Sequence, residues 1–221
     1  MATGNSRKGL QGLAAKIRNS YKVNAARAAV RDFFRPVISA QRRMTLPGKV
    51  ARRSPLWLHF GCGEVADARF VNVDARPFRH VDYITKSPSM PAIPAGRAQL
   101  IYACHVFEHI SYHKGQRETL LRWREMLQPG GRLMLSVPDF EKIIALREER
   151  GFEAIQPALM GGQDYPGNFH YALFTQDHLR KLLLQAGFTA VETWHAKDQE
   201  NWPRDWSWDE AVSLNLVATK T

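Results

Sequence analysis

From residue 56 onward, short apolar runs alternate with stretches whose apolar positions recur at helical spacing. Leu56 to Phe60 reads as a strand closed by Gly61-Cys62-Gly63. Phe70 to Asp74, Val81 to Thr85 and Gln99 to Ala103 read as three more strands. Gln116 to Gln128 reads as a helix with Leu120, Trp123 and Leu127 on one face. Pro129-Gly130-Gly131 is expected to stop it, and Arg132 to Val137 to form a fifth strand. Asp139 is placed to cap a further helix whose apolar face includes Ile143 and Ile144. Thr175 is placed as another N-cap, with Phe174 and Leu179 as its hydrophobic staple. Leu182 and Leu183 continue that buried face, and Gly187 ends the helix. Phe188 to Thr193 and Ser213 to Thr219 are the last two strands. Strands alternating with helices predict a doubly wound α/β domain whose mostly parallel sheet is covered on both faces.

The first 53 residues read differently. Leu10, Leu13, Ala14 and Ile17 repeat at helix spacing, as do Ala26, Ala29, Val30 and Phe33. Pro36 is expected to end, kink or start a helix, and Pro47-Gly48 to serve as a linker. The chain therefore divides into a basic helical extension, residues 1–53, and a domain, residues 54–221. Charge sharpens that division. Residues 1–53 hold thirteen Lys or Arg and one acid, Asp32, for +12, while the rest carries −2 of the overall +10. A near-neutral body gives no electrostatic reason to expect nucleic acid in its cleft. The extension could dock on the domain, contact phosphates or lie on an anionic membrane surface. Phe33, Phe34 and Val37 beside Arg-rich turns favour the membrane surface.

No run approaches the roughly 18–20 apolar residues of a membrane span, and the N-terminus lacks the apolar stretch of a secretory signal. Cys62 and Cys104 are the two cysteines, too few for a disulfide framework, and a reducing, cytoplasmic setting is expected. Adjacent strands would bring them close together as reduced, partly buried thiols. A CxxC zinc pattern is absent, and no metal site is expected.

The strongest chemical signal is Gly61-Cys62-Gly63 directly after an apolar strand, with Ala66 following. Glycines there let a ligand approach the backbone. Asp74 ends the next strand, where a carboxylate can accept hydrogen bonds from ribose hydroxyls. The pair points to a nucleoside-containing ligand. Gly63 and Asp74 are 11 residues apart, against about 20 in the dinucleotide fingerprint. The helix between them must be very short or missing, which disfavours NAD.

With these residues in place, the segment LHFGCGEVADARFVNVDA resembles the binding motif of class I methyltransferases that use S-adenosylmethionine (SAM). LIYACHVFEHI is similar to their fourth strand, and LLRWREMLQPGGRLMLSVPDF to their helix, turn and fifth strand. The likeness runs on through GGQDYPGNFHYALFTQDHLRKLLLQAGF and DWSWDEAVSLNLVATK, to cover about residues 56–220. These later segments resemble a bacterial subgroup associated with cell-surface polysaccharide biosynthesis.

The resemblance implies a Rossmann-like sheet of seven strands with a reversed C-terminal strand, the first and fourth strands adjacent. It implies SAM as cofactor, held by Phe60, Gly61, Cys62, Gly63, Asp74, Ala75, Ala103, Cys104 and His105. Where many members carry an acidic residue toward the adenine, this chain has Thr85-Lys86-Ser87, and a backbone or Ser87 contact would have to substitute. Methyl transfer to a hydroxyl needs a base, and histidine suits it near neutral pH. His105, His109 and His170 are the candidates, with Glu108 placed to orient His109. The acceptor is expected to be a hydroxyl or amine of a small molecule or saccharide. Trp194, Trp202, Trp206 and Trp208 could stack on it or pack on the sheet. The alternative reading is a module of the same fold that keeps the pocket but serves as a scaffold at a membrane surface.

Overall fold

Seven strands form one sheet in the order β3-β2-β1-β4-β5-β7-β6. They are β1 (Trp57–Phe60), β2 (Phe70–Asp74), β3 (Tyr83–Ile84), β4 (Ala98–Cys104), β5 (Leu127–Pro138), β6 (Thr189–Thr193) and β7 (Ser213–Thr219). The structure is a computed structural model and describes residues 35–42, 44–87 and 93–221. β1 to β5 run parallel, whereas β7 lies antiparallel between β5 and β6. The expected mixed sheet with a reversed last strand is the one observed. Chain order reverses between β1 and β4, and in open α/β sheets ligands bind at such a switch point, beyond the carboxyl ends of the strands.

Alternation along the strands builds two apolar layers. Leu58, Phe60, Ile101, Ala103, Leu133 and Leu135 belong to the main core. Leu120 and Trp123 of α2 (Gly115–Met126) and Leu179 and Leu183 of α6 (Gln176–Gln185) close over it. Phe70, Leu100, Tyr102, Cys104 and Met134 form the second layer with Trp194 and Trp202. No helix lies between β1 and β2, where residues 61–69 are turns, as the short spacing from Gly63 to Asp74 requires. The tryptophan-bearing segment before β7 covers that face instead.

The helix ends follow local chemistry. Asp139 accepts hydrogen bonds from the Glu141 and Lys142 amides and starts α3 (Phe140–Ala145). Thr175 accepts from the His178 amide and starts α6. Gly187, at φ 86°, ends α6, with the Phe188 amide donating to Leu183 O and the Gly187 amide to Leu184 O. This double bond pattern is a Schellman motif, which relieves the last carbonyls of the helix.

Three expectations need correction. Residues 35–42 and 44–52 are helical (α1), so Pro47-Gly48 is part of a helix and not a linker. Leu46 and Val50, one turn apart, are both buried in the main core. Burying each contributes about 1.5–3 kcal/mol, which outweighs the local preference for a turn. The helix expected before Pro129-Gly130-Gly131 is present as α2 but ends at Met126, two residues earlier than expected. β5 already begins at Leu127, paired to Ala98 across an irregular register, and carries the turn within it. The two cysteines pack in different clusters, Cys62 with Val81 and Ile84, and Cys104 with Tyr102 and Met134. α4 (Arg147–Arg150) and α5 (Phe152–Met160) were not anticipated.

α1 is tied to the body by Arg35 donating to Ala75 O at 2.7 Å and by a Lys49–Asp82 ion pair. Arg53, just beyond it, donates to Ala68 O and Arg69 O. The helical repeats expected from Leu10 to Phe33, and the apolar Phe33 and Phe34, lie outside the described residues. Among the described residues no helix is long and apolar enough to cross a membrane.

Candidate active site

A cavity of about 990 Å³ opens at the carboxyl ends of β1 and β4. Gly61, Cys62 and Gly63 line one side, and Cys104, His105 and Glu108 another. His109 and His170 also face it.

The glycine turn is held from three sides. Gly61 and Gly63 have φ of 61° and 56°, the left-handed region that costs glycine little. A Cβ on Gly61 would land on Val106. The Gly63 amide donates to Asp74 Oδ2 at 2.8 Å, and His80 Nε2 lies 3.0 Å from Gly63 O. Asp74 Oδ1 accepts from the Arg76 amide at 2.7 Å. Asp74 is buried, directly behind the turn. Arg76 carries its guanidinium over the rings of Phe78 and Tyr165, 4.7 and 4.6 Å from their centroids. Phe60 and Ala103 face the main core, and Ala75 lies beside the turn with its carbonyl bonded to Arg35. Thr85 and Ser87 close a local turn, the Ser87 amide donating to Thr85 Oγ1.

The three histidines singled out by the sequence meet at one carboxylate. His105 Nδ1 lies 3.7 Å from Glu108 Oε1, and His109 Nε2 and His170 Nε2 each lie 3.9 Å from it. Glu108 is fully buried, and burial pushes its carboxyl up to about 8. Burial pushes the imidazoles the other way, to about 3 for His105 and about 4 for His170, with His109 also lowered. All three are therefore neutral at physiological pH. His105 sits at φ 50°, a left-handed conformation that costs a non-glycine residue on the order of 1 kcal/mol or more. Its amide donates to Ser136 O at 2.8 Å and its ring stacks on Trp206. The turn holding Glu108 is locked to the later loop by the Tyr171 amide, which donates to Glu108 O at 2.8 Å.

Several lining residues escaped the sequence reading. Asp205 accepts from the Tyr102 hydroxyl on both oxygens, at 2.9 and 2.8 Å, and so pins the Trp-rich segment beneath the cavity. His59, buried between Phe70 and Tyr102, forms part of the floor. Arg76 was legible only as a neighbour of Asp74. Trp194 and Trp202 are core residues, whereas Trp206 and Trp208 line the cavity. Cys62 and Cys104 are buried in apolar clusters, and that burial raises both thiols above their usual range and disfavours the nucleophilic thiolate.

A glycine turn and a carboxylate on neighbouring parallel strands, in a seven-stranded sheet whose last strand is reversed between its neighbours, define the class I methyltransferase fold. The family model described as a methyltransferase domain matches residues 34–193, and the chain belongs to that family. No curated protein matches the sequence. Among solved structures, the chain is similar to the 1,6-didemethyltoxoflavin-N1-methyltransferase of Burkholderia thailandensis, solved with 1,6-didemethyltoxoflavin and S-adenosylhomocysteine. The identity is 16% and the TM-score 0.50, over 96% of this chain and 90% of that one. It is also similar to a SAM-dependent methyltransferase of Thermotoga maritima, at 14% identity and a TM-score of 0.47, over 86% of this chain and 99% of that one. At such identities the likeness is one of fold.

Proposed function

We propose that this methyltransferase takes its methyl group from SAM and delivers it to a hydroxyl or amine of a small molecule or saccharide. The observation that carries the reading is the hydrogen bond by which buried Asp74 holds, from behind, the glycine turn that lines the cavity, on strands adjoining the switch point. The residues present fit the donor. Gly61 and Gly63 line the cavity without side chains, and Asp74 Oδ2 keeps acceptor capacity beyond the Gly63 amide, while Oδ1 already accepts from the Arg76 amide and, at 3.4 Å, from its Nε. The cavity also falls in the range of pockets that enclose ligands of this size. When bound, SAM supplies a methyl carbon on a positively charged sulfur, which an acceptor takes in line.

The protein's own part is positioning and proton removal. Gly61, Cys62, Gly63 and Asp74 hold the donor, with Ala75, Cys104 and His105 beside them. His105 takes the acceptor's proton on Nδ1. It is neutral, and its position at the end of β4 supports the assignment. His109 and His170 flank the same space and help orient the acceptor. Trp206 supports a saccharide-like acceptor, because the residue is 61% exposed while lining the cavity. The polysaccharide association, a cytoplasmic setting and membrane-surface binding by the basic extension, residues 1–53, belong to the same proposal.

Labelled SAM incubated with the protein and a cell extract tests the reading. Transfer of label to a small molecule or glycan, lost in His105→Ala, is the expected result. Binding of SAM with no labelled product from any extract would favour the scaffold reading.

A further inference from the structure

We propose that Glu108, His109 and His170 bind one divalent transition-metal ion of the zinc, cobalt or manganese type, with His105 beside them at the open side. The neighbours of each imidazole fix which of its nitrogens carries hydrogen. His109 Nδ1 lies 2.9 Å from Phe169 O, and a carbonyl only accepts, so Nδ1 carries the hydrogen and Nε2 the lone pair. His170 Nδ1 lies 3.1 Å from Ala158 O, with the same consequence. His105 Nε2 lies 2.9 Å from Ser213 Oγ, whose own hydrogen goes to Trp206 O at 2.8 Å. His105 therefore donates from Nε2 and keeps its lone pair on Nδ1. These three lone-pair nitrogens are the atoms that lie 3.7, 3.9 and 3.9 Å from Glu108 Oε1.

The result is a buried cluster of acceptors facing one another. Neither oxygen of Glu108 has a hydrogen-bond donor among the described residues. Buried polar groups without partners are costly, and evolution rarely leaves them so. A single proton on Glu108 would satisfy one nitrogen and leave the other two facing an oxygen lone pair. A cation at the centre satisfies several at once. One ligand atom each from Glu108, His109 and His170 lies within 4.8 Å of the others. Ligands about 2.1 Å from a metal stand roughly 3–4 Å apart, so small side-chain rotations close the site. The outer N–H of His109 and of His170 points at a backbone carbonyl, the arrangement that fixes metal-binding imidazoles in place. Two nitrogens with one carboxylate suit zinc, cobalt, manganese or iron better than magnesium or calcium, which prefer oxygen alone.

Three protein ligands leave coordination positions open toward the cavity. An acceptor oxygen entering there would be polarised next to His105. That consequence rests on the methyl-transfer reading, whereas metal binding itself does not.

The test uses the tag-free, full-length protein stripped with chelator, titrated with Co²⁺ by visible absorption and with Zn²⁺ by calorimetry. One equivalent should bind with ligand-field bands, and Glu108→Gln or His170→Gln should weaken binding by about 10–100-fold or more. His178→Gln, on α6 and outside the cluster, should leave the affinity unchanged. X-ray absorption on the Co²⁺-loaded wild-type protein needs no variant and should show nitrogen and oxygen ligands without sulfur. Absence of stoichiometric binding, sulfur in the ligand set, or folded cluster variants that bind like the wild type would each overturn the site. Because these readouts involve no methyl transfer, failure here is separable from failure of the donor reading.

Discussion

Asp74 holds Gly63: the carboxylate at the tip of β2 accepts the amide of the turn that follows β1, at 2.8 Å. The bond couples the donor's two proposed contacts, so that moving one moves the other. Asp74→Ala should remove a buried hydrogen bond worth about 1–3 kcal/mol of stability and also lower SAM affinity. Asp74→Asn retains one oxygen and should recover part of both. Denaturant unfolding and calorimetry on the three proteins check the order.

Gly61 is constrained by space as well as by backbone conformation. At φ 61° an alanine is strained, and its Cβ would meet Val106. Gly61→Ala should destabilise the protein by more than about 1 kcal/mol. Val106→Ala in the same chain should remove the collision but not the backbone strain. A double-mutant cycle should therefore show a coupling of about 0.5–3 kcal/mol in the relieving direction.

Tyr102 and Asp205 join the sheet to the segment that carries Trp206 and Trp208. Hydrogen bonds to charged groups contribute about 1.5–3 kcal/mol, so Tyr102→Phe should lose an amount of that order. Amide exchange in residues 196–208 should quicken relative to α2, which does not depend on this contact.

His59 makes stability depend on pH. Burial lowers its pKa from the ordinary 6.5 to about 4. The unfolded chain takes up a proton as pH falls through 6.5, while the folded protein does not until about 4. Stability should therefore fall across that window and level off below it. The shift corresponds to about 3 kcal/mol. Wild type should lose that much more than His59→Phe between pH 7 and pH 4, as read from denaturant midpoints at each pH.

How far the sequence reads ahead depends on whether the deciding interactions are local. Asp139, Thr175 and Gly187 cap their helices as their spacing predicts, because a cap bonds to backbone amides or carbonyls no more than five residues away. The missing helix between β1 and β2 followed from counting residues. Pro47-Gly48 misled because the helix there is held by Leu46 and Val50 against a distant core. The site divides in the same way. Gly61, Gly63 and Asp74 announce themselves by motif. Convergence of His105, His109 and His170 on Glu108 depends on a loop some 60 residues later folding back over the β4 turn. Asp205 and Arg76 carry no pattern that separates them from surface charges.

The central claim is that the Gly61–Gly63 turn and Asp74 together grip the adenosyl part of SAM. Isothermal titration of the wild-type protein with SAM and with S-adenosylhomocysteine, alongside Asp74→Ala, tests it most directly. One site per chain, with affinity at least about tenfold weaker in the variant, which corresponds to about 1.4 kcal/mol, is the predicted result. No heat from the folded wild-type protein at millimolar ligand, or equal affinity in both proteins, would contradict it.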